Sequence, residues 1–233
     1  MRKLSRWYKL VEDLLTIEDF QLKIKEYKNS FDDLLDEEVL ALLVVDELGR
    51  NTHSILRIED LHPSITGTLI GRILSIIDDD RKTVLETLDD TGVIPVIVWK
   101  RDREEELEYQ FKEVYRFING YVKQDGNQLE FHLGKWSSVE KIDVKTLQPI
   151  NIKGFLREVK PTHVYLNESG EYDFVTTIKI QTSNGINRVI VWGEQVKNMQ
   201  KHKPGDYISM ENISVYQHRY GRELHVTDET TIS

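Results

Sequence analysis

Between Leu34 and Leu48 the chain reads LLDEEVLALLVVDEL, and its apolar positions recur at helical spacing. Leu34, Leu35, Val39, Leu42, Leu43 and Leu48 fall on one face, which predicts an amphipathic helix. Asp36, Glu37 and Glu38 suit its start, because carboxylates favour the positive end of the helix dipole. Gly49 suits its C-terminal cap. Upstream, EDFQLKIKEYKNSF predicts a second helix, so residues 1–60 read as a helical N-terminal segment. Beyond Gly49 β-branched residues dominate, glycines recur, and apolar and polar residues often alternate, which is the texture of strands.

This second part repeats itself. DLHPSITGTLIGRIL (60–74) parallels TLQPINIKGFLREV (146–159), each with Leu-x-Pro followed by a glycine, Gly71 or Gly154, inside the strand. A strand glycine predicts a bulge or a sharp bend, as a closing barrel needs. Next comes TVLETLDDTG or FVTTIKIQTSNG, ending in a hairpin turn. Val-Ile-Val-Trp follows in both copies, with the tryptophans Trp99 and Trp192 standing 93 positions apart. A more polar stretch, 100–113 or 193–203, reads as a helical excursion, and two further strands close each copy. Five strands with an excursion after the third predict a mainly β protein of two tandem five-stranded OB-fold barrels, over residues 61–145 and 146–233.

Side chains alternate faces along a strand. Val189 and Val191 therefore share the core face, and Arg188, Ile190 and Trp192 the other. A cation, an aliphatic residue and a large aromatic on one open face suit single-stranded nucleic acid, because rings stack on bases and cations meet phosphates. In the first copy Val96 and Val98 point inward and Pro95, Ile97 and Trp99 outward, with proline in place of the arginine. An isolated strand tryptophan is more often packing than platform. Its recurrence at the equivalent point of two repeats, beside an arginine in the second, shifts the reading towards stacking.

Charge and composition narrow the classes. The net charge is −9, distributed as −5 over residues 1–61, −4 over 62–146 and 0 over 147–233. An acidic total limits non-specific attraction to phosphate without forbidding a local basic groove. There is no cysteine, hence no disulfide framework and no thiolate zinc site. No run approaches the ~18 apolar residues of a membrane span, and the N-terminus lacks an apolar signal core. The expected location is the cytoplasm, in association with the nucleoid. The seven histidines are scattered, without a His-x-x-x-His or His-x-Glu pair, and no phosphate-cradling or nucleophile-elbow motif occurs. The Asp78–Asp80 run reads as turn chemistry, and the acidic run REEELE (103–108) as a solvated helix face. No catalytic residue, metal or cofactor is expected, and the protein does not read as an enzyme.

With both repeats in view, the sequence resembles archaeal replication protein A, the single-stranded DNA-binding protein of replication, repair and recombination. NRVIVWGEQ resembles the third-strand signature of its DNA-binding OB folds, and YGRELHVTDETTI (220–232) the last-strand signature. LLDEEVLALLVVDELG is similar to the helical segment before its first OB fold, and LHPSITGTLIGRIL to the first strand. The resemblance implies two stacking aromatics per barrel, one on the third strand and one in the loop between the last two strands. In the second copy these positions fall on Trp192 and Tyr220, and the family's phosphate-facing arginine on Arg188. In the first copy Trp99 matches, while Asp125 stands where the loop aromatic is expected; Tyr121 and Phe131 are the candidates to compensate. Position alone adds Arg72, Lys153, Arg157 and Lys160, in or just after the first strands, and Arg219 and Arg222, flanking Tyr220. The second barrel is thus expected to be the stronger binder, with replication or repair proteins as further partners through the helical segment. The alternatives are a protein-interaction OB module, which the acidic charge favours, and an accessory RNA-binding OB domain.

Overall fold

The computed structural model describes residues 4, 7–8, 11–12, 14–31, 34–48, 55–100, 108–134 and 137–233. Two compact units divide between Ile55 and Leu56. In the first, helix α1 (Ile17–Ser30) is capped by Thr16 and helix α2 (Glu37–Glu47) by Asp36, whose carboxylate accepts from the backbone N–H groups of Glu38 and Val39. Capping of this kind satisfies donors that have no partner inside the helix. Phe20 and Ile24 of α1 pack with Leu40, Ala41, Val44 and Val45 of α2. The buried stripe of α2 is therefore not the expected one: Leu34 and Val39 are exposed. The helix is apolar on nearly every side, so spacing alone did not select the face that packs. Gly49 lies outside the described residues.

The second unit holds both barrels. After a two-residue strand β1 (Ile55–Leu56) and a single 3-10 turn at Ile58–Asp60, the first barrel consists of β2 (Thr66–Asp78), β3 (Lys82–Leu88), β4 (Val93–Trp99), β5 (Val114–Asp125) and β6 (Gln128–Leu133). The order is β2–β3–β4–β6–β5, closed by β5 pairing with β2, and β7 (Ser138–Ile142) extends from β5. The second barrel repeats this with β8 (Lys145–Val159), β10 (Tyr172–Thr182), β11 (Gly185–Trp192), β12 (Tyr207–His218) and β13 (Gly221–Val226). The order is β8–β10–β11–β13–β12, closed by β12 on β8. The short strands β9 (His163–Leu166) and β14 (Thr231–Ile232) flank it. Each barrel has one parallel pair, β4–β6 and β11–β13. This is the OB fold, twice. Helix α3 (Glu194–Met199) is the expected excursion of the second copy; of its counterpart at 100–113, residues 101–107, with all of the acidic run but Glu108, lie outside the described residues, and 108–113 form no helix.

Alternation assigns the faces as the pattern predicts. Val96 and Val98 join Leu69, Ile73, Leu85, Phe117 and Phe131 in one core. Val189 and Val191 join Leu156, Ile178, Met210 and Val215 in the other. Gly71 and Gly154 mark the place where the first strand of each barrel crosses the second. A Cβ on Gly71 would lie 2.3 Å from Thr87 Cγ2, and one on Gly154 2.3 Å from the Gln181 carbonyl oxygen. The strand-pairing register shifts close by, between Ile73 and Ser75 on β2 and between Lys179 and Ile180 on β10. No helix among the described residues is long and apolar enough to cross a membrane.

Candidate nucleic-acid interface

The parallel pairing of the third and last strands sets Ile97 opposite His132 and Ile190 opposite His225. Each tryptophan thereby reaches a histidine. Trp99 Nε1–H donates to His132 Nδ1 at 3.3 Å, and Trp192 Nε1–H donates to His225 Nδ1 at 3.0 Å. With Nδ1 accepting, each ring carries its proton on Nε2 and donates it to a carboxylate: Glu130 at 2.8 Å from His132, Glu223 at 2.9 Å from His225. The network assigns this tautomer. Both Trp–His–Glu rows are related by the same offset of 93 residues. Sequence reading had the signal in Glu-x-His on each last strand but treated the histidines as scattered.

In the first barrel the row ends on a face that is only partly exposed: His132 is buried, Trp99 half-buried and Tyr121 exposed. Trp99 stacks on His132 with rings 6.1 Å apart and 28° between planes, and Tyr121 of β5 stacks on the same histidine at 5.4 Å and 23°. Tyr121 is 39% exposed, and the Lys82 ammonium stands 6.0 Å from the Trp99 ring centroid. Of the two candidates to compensate for Asp125, Tyr121 lies on this face, whereas Phe131 is in the core. Asp125 is exposed at the β5–β6 hairpin.

In the second barrel the corresponding face is covered by the first. Trp192 is 9% exposed and packs with Ile190, Val175 and Tyr165 against Leu74 and Leu88 of the first barrel. Lys112 stands 5.8 Å from its ring centroid. Arg72 is buried: it bridges to Glu223, donates to the Lys112 carbonyl, and lies 5.2 Å from the Tyr216 ring centroid. Burial alone would raise the Glu223 carboxyl, but the hydrogen bond from His225 and the charge of Arg72 hold it at about 2. Tyr220 sits between Arg116 and Arg219, 5.3 and 4.8 Å from its ring centroid. Arg219 reaches Glu140 of β7 at 2.5 Å. Arg188 reaches Glu59 at 2.7 Å, where Lys179 and Lys160 also converge at 3.1 and 3.4 Å. Desolvation would raise the Glu59 carboxyl, yet hydrogen bonds from Lys179 and Arg188 hold it at about 2.

The structure thus brings Trp192, Arg72, Arg188, Lys160, Tyr220 and Arg219 to the contact between barrels, and leaves Trp99 apart from them. Lys153, Arg157 and Arg222 are exposed. The first two flank Phe155 on β8, whose ring meets Tyr207 edge-on at 5.2 Å. Among the described residues no group of three or more His, Asp or Glu side chains is placed to hold a metal ion.

No protein-family model matches the sequence, and no curated protein matches it. Solved structures do. The OB domain of MM0293 from Methanosarcina mazei is 21% identical, with 38% of this chain and 83% of that chain covered and a TM-score of 0.35. A replication protein A heterotrimer bound to single-stranded DNA is 15% identical over 76% of this chain and 51% of that one, at a TM-score of 0.32. The chain thus spans about half the length of that protein. Fission yeast Pot1, solved with single-stranded DNA, is 9% identical over 75% and 85% of the two chains, at a TM-score of 0.31.

Proposed function

We propose that the protein binds single-stranded nucleic acid, DNA in the first instance, by base stacking and phosphate contacts with little sequence preference. The observation that carries this reading is the row of near-parallel rings Trp99–His132–Tyr121 on the first barrel, exposed at its Tyr121 end and with Lys82 beside Trp99. Unpaired bases stack on such a row whatever their sequence, and a nearby cation meets the backbone. Binding involves no chemical step and no cofactor. The resemblance to replication protein A supports a role for this activity in DNA replication, repair and recombination, in the cytoplasm with the nucleoid, with replication or repair proteins as partners of the helical segment.

Fluorescence titration with oligo-dT at two salt concentrations tests the reading, against a duplex control. A stacking face prefers the single strand, and affinity falls as salt rises because counterions are released on binding. Equal affinity for duplex and single strand would overturn it. The second reading, a protein-interaction OB module, is favoured by the net charge of −9. It would show as affinity that does not depend on salt and does not require nucleic acid.

A further inference from the structure

The contacts between the barrels follow a chemical pattern. Four features of the second barrel that suit a single strand are met by first-barrel groups of matching type, while Lys153, Arg157 and Arg222 stay exposed. The third-strand cation, Arg188, is met by the Glu59 carboxylate, and the rim cation, Arg219, by the Glu140 carboxylate. The strand ring, Trp192, is met by Leu74, Leu88 and the Lys112 ammonium. The loop ring, Tyr220, is met by the Arg116 guanidinium.

Glu59 is held out for this purpose by its own barrel. The 3-10 turn that carries it is tied to the β3–β4 hairpin: Ile58 N–H donates to Asp89 at 2.9 Å and Glu59 N–H to Thr91 Oγ1 at 3.1 Å. Three second-barrel cations converge on that one carboxylate. Lys160 and Lys179 also have Glu158 of their own barrel, at 2.9 Å from each. Arg188 and Arg219 are paired, among the described residues, only with Glu59 and Glu140.

We infer that the first barrel acts as an internal stand-in for nucleic acid on the second: Glu59 and Glu140 take the places of phosphates, and a strand long enough to reach the second face must displace them. This inference rests on the single-strand reading of the first barrel. Partly exposed ion pairs contribute only about 0–1 kcal/mol each. The main cost of opening lies in the apolar cluster around Trp192 and the buried Arg72–Glu223 pair, and only a long polyanion, with several phosphate contacts and the counterions they release, offsets it. Short strands occupy the Trp99 platform alone, and long strands engage both barrels after opening the contact.

The test compares oligo-dT of about 8 and about 30 nucleotides, within and beyond the reach of one OB fold. It uses the full chain, E59Q and the double variant E59Q/E140Q. Glutamine keeps the size of glutamate and one accepting oxygen but removes the charge, and thermal melting checks the fold of each variant. The long oligonucleotide should bind the double variant on the order of tenfold tighter, with a salt dependence steeper by about 1–2 in slope, while affinity for the short one stays within twofold. R188Q should matter little in the parent chain, where Glu59 masks the arginine. It should weaken long-strand binding several-fold in the E59Q background, where it does not.

An equal gain for both lengths would be a net-charge effect and would overturn the inference. So would no gain for the long strand, or an R188Q effect of the same size in both backgrounds. Each of these leaves binding of the short strand, and with it the proposed function, in place. Failure of every form to bind either oligonucleotide would overturn both.

Discussion

His225 accepts the indole N–H of Trp192 at 3.0 Å and passes its own Nε2 proton towards Glu223 at 2.9 Å. The histidine must be neutral to do both, since an imidazolium has no acceptor nitrogen left for the indole. Its surroundings favour that state: burial, the largest influence, pushes its pKa below the ordinary value, against the pull of Glu223. Arg72 and Lys112 act in the same direction as burial, and Asp173, Asp228 and Tyr216 line the same cavity.

The sign of the resulting pH dependence follows. A histidine whose folded pKa is lowered contributes stability that is complete above its unfolded value of about 6.5 and is lost as pH falls below it. Between pH 7.5 and pH 5 the parent chain should therefore lose more melting temperature than H225Q, which lacks this one titrating group and keeps the other six histidines. Glu223, held at about 2, stays ionised throughout that range. Equal losses in the two proteins would remove His225 as the responsible group.

Arg72 and Glu223 form a buried pair across the barrels. Breaking such a pair on one side leaves an uncompensated charge and costs about 3–5 kcal/mol. R72M and E223L should each lower stability by roughly that amount in chemical denaturation. The double variant R72M/E223L should recover much of the loss, because two apolar side chains replace two desolvated charges. Additive losses would show that the residues act independently.

The repeat, the strand order and the core valines were legible because alternation and the Val-Ile-Val-Trp motif report on single strands and their neighbours. The contact between the barrels was not, because it depends on how two closed surfaces meet. Nothing local marks Glu59 as the partner of Arg188, 129 positions away, or Glu140 as the partner of Arg219. The sequence therefore ranked the second barrel first, on residues whose open side the first barrel takes. Tyr121 was legible only as a candidate, since its place beside His132 depends on the β5–β6 register, Tyr121 opposite His132. The buried face of α2 was illegible for a different reason: its apolar residues surround the helix, so periodicity has no preferred direction.

The strand glycines give a sharper local prediction. G154A would set a methyl group 2.3 Å from a backbone carbonyl oxygen, that of Gln181, which cannot move without disturbing the sheet. G71A meets the Thr87 methyl at 2.3 Å and the Leu88 carbonyl oxygen at 2.9 Å. Overpacking of this kind costs about 1–3 kcal/mol, so both should melt lower than the parent chain. G126A, with nothing within 4 Å but a positive φ of 58°, should be affected only through the backbone, by about 1–2 kcal/mol. Unchanged melting of G154A would mean that β8 and β10 cross at a wider distance.

The two tryptophans separate by environment. Trp99, half-buried, stacks in a row with His132 and the exposed Tyr121, whereas Trp192 is buried among Leu74, Leu88, Val175 and Tyr165. A stacked base is worth ~1–3 kcal/mol by alanine substitution, and a large side chain removed from a core costs about 3–5 kcal/mol of stability. W99A and Y121A should therefore weaken short oligo-dT binding by roughly one to two powers of ten. Their loss of stability should be smaller than that of W192A, which should melt well below the parent yet, while folded, bind the short strand within a few-fold of it. H132A should resemble W99A, since the imidazole both holds the indole N–H and fills the space between the two rings. H132Q, which can still accept the indole N–H, should recover part of the affinity. This ordering reverses the one expected from sequence, where Trp192 ranked above Trp99. If W192A weakens short-strand binding more than W99A at a temperature where both are folded, the platform lies on the second barrel and the contact between barrels opens even for short strands.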